Sequence, residues 1–274
     1  MADFILAIDQ GTTGTTVALM DTTGALRASV NNEFAQHYPK PGWVDHRVED
    51  IWASVEKGIR AVLRKGVCRG ADIAAIGITN QRETALLWDR RSGEALNKAV
   101  VWQCRRTTEF CEDLKTAGHE KQVRSRAGLV LDPYFSASKF RWLLRHTPGV
   151  KRKLAAGRVA AGTVDSYLVW RLTGGDRHVT DVTNASRTSL MNLKALSWDS
   201  ELAELFEVPR ELLPTIVPSA GAIGHTRGVR GLPDGIPIAG MAGDQQAALF
   251  GQACFGVGDA KCTFGTGSFI VLNT

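Results

Sequence analysis

An apolar run at residues 4–8 ends in Asp9-Gln10-Gly11-Thr12-Thr13-Gly14. Glycines let backbone N–H groups approach a ligand closely. Thr12 and Thr13 add hydroxyl donors. Asp9 suits Mg²⁺ held through water, because this ion keeps several waters and takes one or two carboxylates. The same residues also make a tight Asx-type hairpin turn. The loop is not a Walker A loop, whose spacing and lysine are missing.

Four further clusters carry chemistry. Asn80-Gln81-Arg82-Glu83 follows a second apolar run, and an Arg–Glu pair on a rigid element offers a polyol both donors and acceptors. A solvated ion pair of little energetic weight is the plain alternative. Trp102 could wall the carbon face of a small polyol, or serve equally as a core residue. Tyr134 could donate to a substrate hydroxyl or be a half-buried loop tyrosine. Asp244, after the run 236–242, suits a general base that takes a proton from an alcohol, and equally an N-cap. Gly265-Thr266-Gly267 repeats the glycine–hydroxyl chemistry of the first loop, or makes a simple turn. The six histidines show no ligand spacing, and no Gly-x-Ser-x-Gly elbow is present.

These clusters need strands to position them. Residues 4–8, 73–78 and 236–242 read as buried strands, and each ends in one of the polar clusters. The pairing of 15–20 with 4–8 predicts a hairpin whose loop is "DQGTTG", and 25–35 reads as a third strand. Helical spacing of Ile51, Trp52, Val55, Ile59, Val62 and Leu63 predicts a helix over 49–65. Further helices are expected near 105–117, 136–146, 150–156, 165–173, 199–207 and 245–254. Short strands are expected at 84–89, 98–102 and 158–161, and a final hairpin over 260–272. The glycine- and proline-rich stretch 218–237 gives few periodic signals. Alternating strands and helices imply an α/β fold with a mixed sheet, and ligands of such sheets gather beyond strand ends.

Composition narrows the function classes. A hydrophobic fraction of 44% in 274 residues is enough for a sizeable core. Net charge is +5, with basic residues scattered, so a nucleic-acid partner has little support. Five cysteines without a Cys-x-x-Cys pair suggest reduced thiols. With no signal-peptide pattern at the start and no apolar run near the roughly 20 residues of a membrane span, a cytoplasmic protein away from membranes is expected.

Taken together, "AIDQGTT", "YPKPGWV", "AAIGITNQRET", "VWQCRRT", "GLVLDPYFSASKFRWLLRH", "GTVDSYLVW", "VTDVTNASRT", "AGDQQAALFGQ" and "FGTGSF" resemble the FGGY carbohydrate kinase family. "TNQRET", "WQCRRT" and "DPYFS" are similar to its glycerol-phosphorylating members. The resemblance implies a ribonuclease H-like, actin/Hsp70-type ATPase fold with two domains and a cleft between them. It implies transfer of the ATP γ-phosphate to the 3-hydroxyl of glycerol with Mg²⁺, and allows a homo-oligomer. Carried over by position, Arg82, Glu83, Trp102, Tyr134, Asp244 and Gln245 would contact glycerol, with Asp244 as base. Asp9 would serve Mg²⁺. Thr12, Thr13, Gly14, Thr16, Gly265, Thr266 and Gly267 would serve the nucleotide phosphates.

Two departures from the family stand out. Members usually carry Ser-Ser-Arg where this chain has Gly14-Thr15-Thr16, so a cation near the phosphates is missing or comes from elsewhere. The resemblance also covers only about the first half of a member. Residues 1–256 would form the first domain and 257–274 the opening hairpin of the second. Such a hairpin, cut from its sheet, is expected to dock irregularly, pair with another copy or be poorly ordered. Two other readings are a glycerol-binding half-enzyme without turnover and an actin/Hsp70-like ATPase module.

Overall fold

The computed structural model describes residues 3–265 and 267–274. Its centre is a six-stranded sheet. The strand order is Ala220–His225, Pro237–Gly243, Ile73–Asn80, Phe4–Gln10, Gly14–Asp21, Leu26–Glu33. The Phe4–Gln10, Ile73–Asn80 and Pro237–Gly243 strands run parallel and the other pairings are antiparallel. Gln10 pairs with Asn80, and Asn80 with Gly243, so the three parallel strands end side by side. This register gathers the three polar clusters at one edge.

The sheet is buried on one face only: Leu6, Ile8, Leu19, Ile76, Ile78 and Met241 share the face that the helices cover, whereas Ile5 on the other face is 40% exposed, so the strands expected to be buried are half-buried. The Val48–Leu63 helix buries Val48, Ile51, Trp52, Val55, Ile59 and Val62 against the antiparallel strands. It comes so close at Gly58 that a Cβ there would meet Val17 Cγ2 at 2.5 Å. The Val164–Leu172 helix packs against Ile73–Asn80 and Pro237–Gly243. Each fully buried Leu, Ile or Val here contributes on the order of 1.5–3 kcal/mol of transfer free energy.

A second core lies beside the sheet, built from Leu87, Val100, Val101, Phe140, Leu143 and their neighbours. The Leu86–Asp89 strand joins the two cores. Leu86 and Trp88 belong to the sheet core, whereas Ala85 and Leu87 belong to the second. The segment Gln81–Thr84 is therefore the crossing between cores. The Ala260–Phe264 and Ser268–Leu272 strands form a separate two-stranded sheet.

Several elements differ from the sequence expectation. The first hairpin loop is shorter than "DQGTTG": Asp9 and Gln10 extend one strand and Gly14 opens the next. Ladder bonds win over turn chemistry because Gly14 pairs with Glu33 and Thr16 with both Asp9 and Asn31. The helix expected over 105–117 starts at Thr108. The Glu120–Ala127 helix has only two buried residues, Val123 and Ala127, so its apolar period is faint. Ala220–His225 was masked by its glycines. The final hairpin, expected over 260–272, is an antiparallel pair running from Ala260↔Leu272 to Phe264↔Ser268 and packs against the Asp244–Gly251 helix.

Candidate functional site

Side-chain amides tie off the strand ends. Asn80 and Asn184 exchange hydrogen bonds of 2.9 and 3.1 Å, while Gln81 N–H donates to Gln10 O at 2.7 Å. Thr84 Oγ1 donates to Gln81 Oε1 at 2.8 Å. Asn80 and Gln81 thus build the frame, and the chain then turns Arg82 and Glu83 into a cleft. Glu83 adopts φ 63°, a left-handed conformation that costs a non-glycine residue on the order of 1–3 kcal/mol. Ser136 Oγ, donating to Glu83 O at 3.1 Å, helps hold it there.

Beyond these ends lies a cavity of about 180 Å³, below the range of drug-sized ligand pockets and suited to a ligand of few atoms. Arg82, Glu83, Trp102, Tyr134, Asp244 and Gln245 line one part of it. Thr12, Thr13, Gly265 and Gly267 line another, with Thr263 and Phe269 between them. Trp102 packs edge-on against Tyr134 at 5.7 Å and against Phe269 at 6.2 Å. Its indole N–H donates to Thr12 Oγ1 at 2.9 Å, which links the two parts.

Gly14 and Thr16 are not among the lining residues. Gly14 is buried in the sheet, and Thr16 Oγ1 accepts from Asn31 Nδ2 at 2.9 Å. Thr266 lies outside the described residues. A larger, shallow groove of about 710 Å³ runs past Arg60, Cys68 and Gly231. It contains none of the strand-end clusters, so convergent chemistry rather than size selects the smaller cavity.

Asp244 is the first residue of the Asp244–Gly251 helix, and Gly243 is its N-cap. The capping alternative for Asp244 therefore fails, and its carboxylate faces Arg82 with Nε–Oδ1 at 3.0 Å. The Arg82 side chain passes directly over Gly243, where a Cβ would lie 2.5 Å from Arg82 Cδ. Arg82 Nε has no aligned hydrogen-bond acceptor among the described residues. It is a buried donor beside the cavity that a ligand hydroxyl would satisfy.

Electrostatics divide the acids by role. Asp9 is exposed and is not among the cavity's lining residues, yet its carboxyl is pushed up to about 6, first by the surrounding protein atoms and then by Asp244. A carboxyl raised in part by a neighbouring carboxylate fits a bound cation, although no group of three or more ligating side chains forms among the described residues. Burial also raises Glu83, against the pull of Arg82, Arg187 and Lys139. Tyr134 is pushed up to about 12 by burial and then by Glu83, so it remains a neutral donor.

Four residues of the site escaped the sequence reading. Lys139 is fully buried; its ammonium donates to Phe135 O at 3.0 Å and to Tyr134 O, and burial pushes it down to about 7. Arg187 Nε donates to Glu83 Oε1 at 2.7 Å. Lys261 Nζ donates to Gln245 Oε1 and, at 2.6 Å, to Thr263 Oγ1. Phe269 lies under the Arg82 guanidinium, 5.6 Å from its centre. Alternation on the last hairpin was a usable signal, since Lys261, Thr263 and Phe269 share one face. Arg187 gave none because Glu83 is 104 residues away, and Lys139 gave none because a lysine is not expected on a buried helix face.

Comparison with known proteins agrees with this geometry. The FGGY family of carbohydrate kinases, N-terminal domain, matches residues 4–251. A glycerol kinase of Bdellovibrio bacteriovorus is 54% identical over 274 residues, covering 100% of this chain and 55% of its own length. One from Myxococcus xanthus is 55% identical over 273 residues, with the same coverage. The crystal structure of Plasmodium falciparum glycerol kinase with ADP matches with TM-score 0.92 at 35% identity, over 98% of this chain and 54% of that one. Gluconate kinase from Lactobacillus acidophilus matches with TM-score 0.87 at 25% identity, over 97% and 53%. The chain spans about half the length of the curated relatives it matches. With its mixed sheet packed against helices and its strand-end cleft, the chain belongs to the FGGY family of carbohydrate kinases.

Proposed function

We propose that this chain is the polyol-binding part of an enzyme that transfers the γ-phosphoryl group of ATP to the 3-hydroxyl of glycerol, giving sn-glycerol 3-phosphate and ADP. The observation that carries the reading is the small cavity lined by Arg82, Glu83, Tyr134 and Asp244, with Arg82 Nε left without an aligned acceptor among the described residues. Arg82 would donate to glycerol hydroxyls, Glu83 would accept, and Tyr134 would donate. Trp102 and Phe269 would cover the carbon chain, with Gln245 beside the base.

Asp244 takes the proton of the 3-hydroxyl. That oxygen then attacks the γ-phosphorus, the bond from phosphorus to the bridging oxygen breaks, and ADP leaves with that bond's electrons. Thr12, Thr13, Gly265, Thr266 and Gly267 would grip the phosphates, and Lys261 would supply positive charge beside them. Gly14 would keep the strand flat beneath the loop. Thr16 takes the place of the family's arginine. Mg²⁺, bound with ATP, would neutralise phosphate charge, and Asp9 is the carboxylate that would hold it through water. The reading includes residues 1–256 as one domain with 257–274 opening a second, and a cytoplasmic location. All five cysteines are free, and no helix among the described residues is long and apolar enough to cross a membrane.

The test is calorimetry of glycerol binding to the folded chain, paired with an assay of glycerol-dependent ADP formation. Glycerol binding is expected, with gluconate and pentuloses binding far more weakly. A folded chain that takes up no glycerol overturns the substrate assignment. Glycerol binding without ATP turnover selects the half-enzyme reading.

A further inference from the structure

We propose that Arg187 is the positioning residue of the polyol cavity: its guanidinium clamps the Glu83 carboxylate and the Tyr134 ring into one fixed arrangement. Arg187 Nε donates to Glu83 Oε1 at 2.7 Å. The guanidinium carbon also lies 5.7 Å from the Tyr134 ring centre and 4.9 Å from that of Phe135. One planar cation therefore touches an acceptor and a donor of the cavity from behind.

The placement is rigid at its root. Asp181 accepts from Thr183 N and Asn184 N at 3.0 Å each, starting the short helical turn of Val182–Ala185. Asn184 is locked to Asn80 at the end of a sheet strand, and Arg187 N donates to Asn184 O at 3.0 Å. The strand that delivers Glu83 thus also fixes the segment that delivers its partner.

The other cations facing Glu83 are committed elsewhere. Arg82, on the same turn, faces Asp244 and Gln246. Lys139, from the Ser136–His146 helix, bonds the carbonyls of Tyr134 and Phe135. Tyr134 completes the set as a neutral phenol. Among the described residues, Arg187 alone hydrogen-bonds the Glu83 carboxylate. Burial drives Glu83 toward its protonated form, which would turn an acceptor for glycerol into a donor. Arg187 opposes that change and fixes which oxygen points into the cavity.

This inference rests on the glycerol reading for its consequence, but its first observable does not need glycerol. The Glu83 carboxyl is followed by carbon-13 NMR in the parent chain, with E83Q assigning the signal, and in R187M, R187Q and R187K. Removing the charge is expected to raise the Glu83 midpoint by roughly 1–3 pH units. R187K should keep the midpoint near the parent value while regaining only part of the glycerol affinity, since an ammonium lacks the planar fork. In R187M, glycerol affinity should fall where Glu83 is protonated and return as pH rises. R187Q carries the same comparison if R187M does not fold. An unchanged Glu83 midpoint, or glycerol binding lost equally at every pH, overturns the proposal. A shifted midpoint in a chain whose parent form ignores glycerol supports the clamp and overturns the substrate assignment instead.

Discussion

The two sides of the cavity are built to different standards. On the proposed polyol side, Arg82, Glu83 and Gln245 are buried, and each is held by a residue from another element. The phosphate side rests on an exposed Thr13 and on a hairpin that shows Phe264 and Ile270 to solvent at 82% and 79% exposure. Pre-organised groups lose little freedom when a ligand arrives. Sparse contacts and exposed backbone mark the low-stability end of a structure, from which moving elements are drawn. Under the proposed reading, the alcohol meets groups already held in place, whereas the phosphates meet a loop and a hairpin that make fewer contacts within the described residues.

The largest test of this division is Asp244→Asn. Asp244 stands at the junction, paired with Arg82 but free of the buried clamp around Glu83. The variant should lower the rate of glycerol-dependent ADP formation by about 10²–10⁴-fold, the usual weight of a general base. Glycerol affinity, read by calorimetry, should stay within a few fold. Equal losses in binding and rate would place Asp244 on the polyol side and erase the contrast.

The sequence showed most of the frame and less of the clamp. Continuous apolar runs ending in polar clusters located the three parallel strands, and the structure brings Gln10, Asn80 and Gly243 side by side. Helical period located the Val48–Leu63 and Ser136–His146 helices within a residue or two at each end. Side chains acting over long sequence distances were illegible. Arg187 is 104 residues from Glu83, and Lys139 sits on the buried face of a helix where a lysine is not expected. Gly14 and Thr16, whose residue types suit a phosphate loop as well as a strand, do not line the cavity. Only the register shows them paired within the sheet.

A smaller effect is expected at Asp9. Its folded carboxyl titrates near 6 rather than at the ordinary value of 3.8, so the folded state holds its proton more tightly than the unfolded chain does. Stability from this group is present below the unfolded value and declines as pH rises through the folded one. Asp9→Asn should therefore raise the melting temperature above pH 6 and leave it unchanged below about pH 4. The exposure of Asp9 keeps the gain modest. Mg²⁺ should raise the parent's melting temperature at neutral pH and leave the variant's unmoved. A variant that gains nothing at pH 7 would break the link between Asp9 and Asp244.

The smallest effects belong to the hairpin, and they test whether one two-stranded sheet can be split by face. Phe269 points inward onto Trp102 and Arg82, whereas the neighbouring Ile270 points to water. Phe269→Ala removes an aromatic contact worth about 0.5–1.5 kcal/mol, so glycerol affinity should drop a few fold to about tenfold. Ile270→Lys should change unfolding free energy by no more than about 0.5 kcal/mol and leave glycerol binding as it was. Chemical denaturation with calorimetry on the same samples measures both. If Ile270→Lys instead weakened glycerol binding as much as Phe269→Ala, the hairpin would act as one rigid wall of the cavity, and the phosphate side would be no looser than the polyol side.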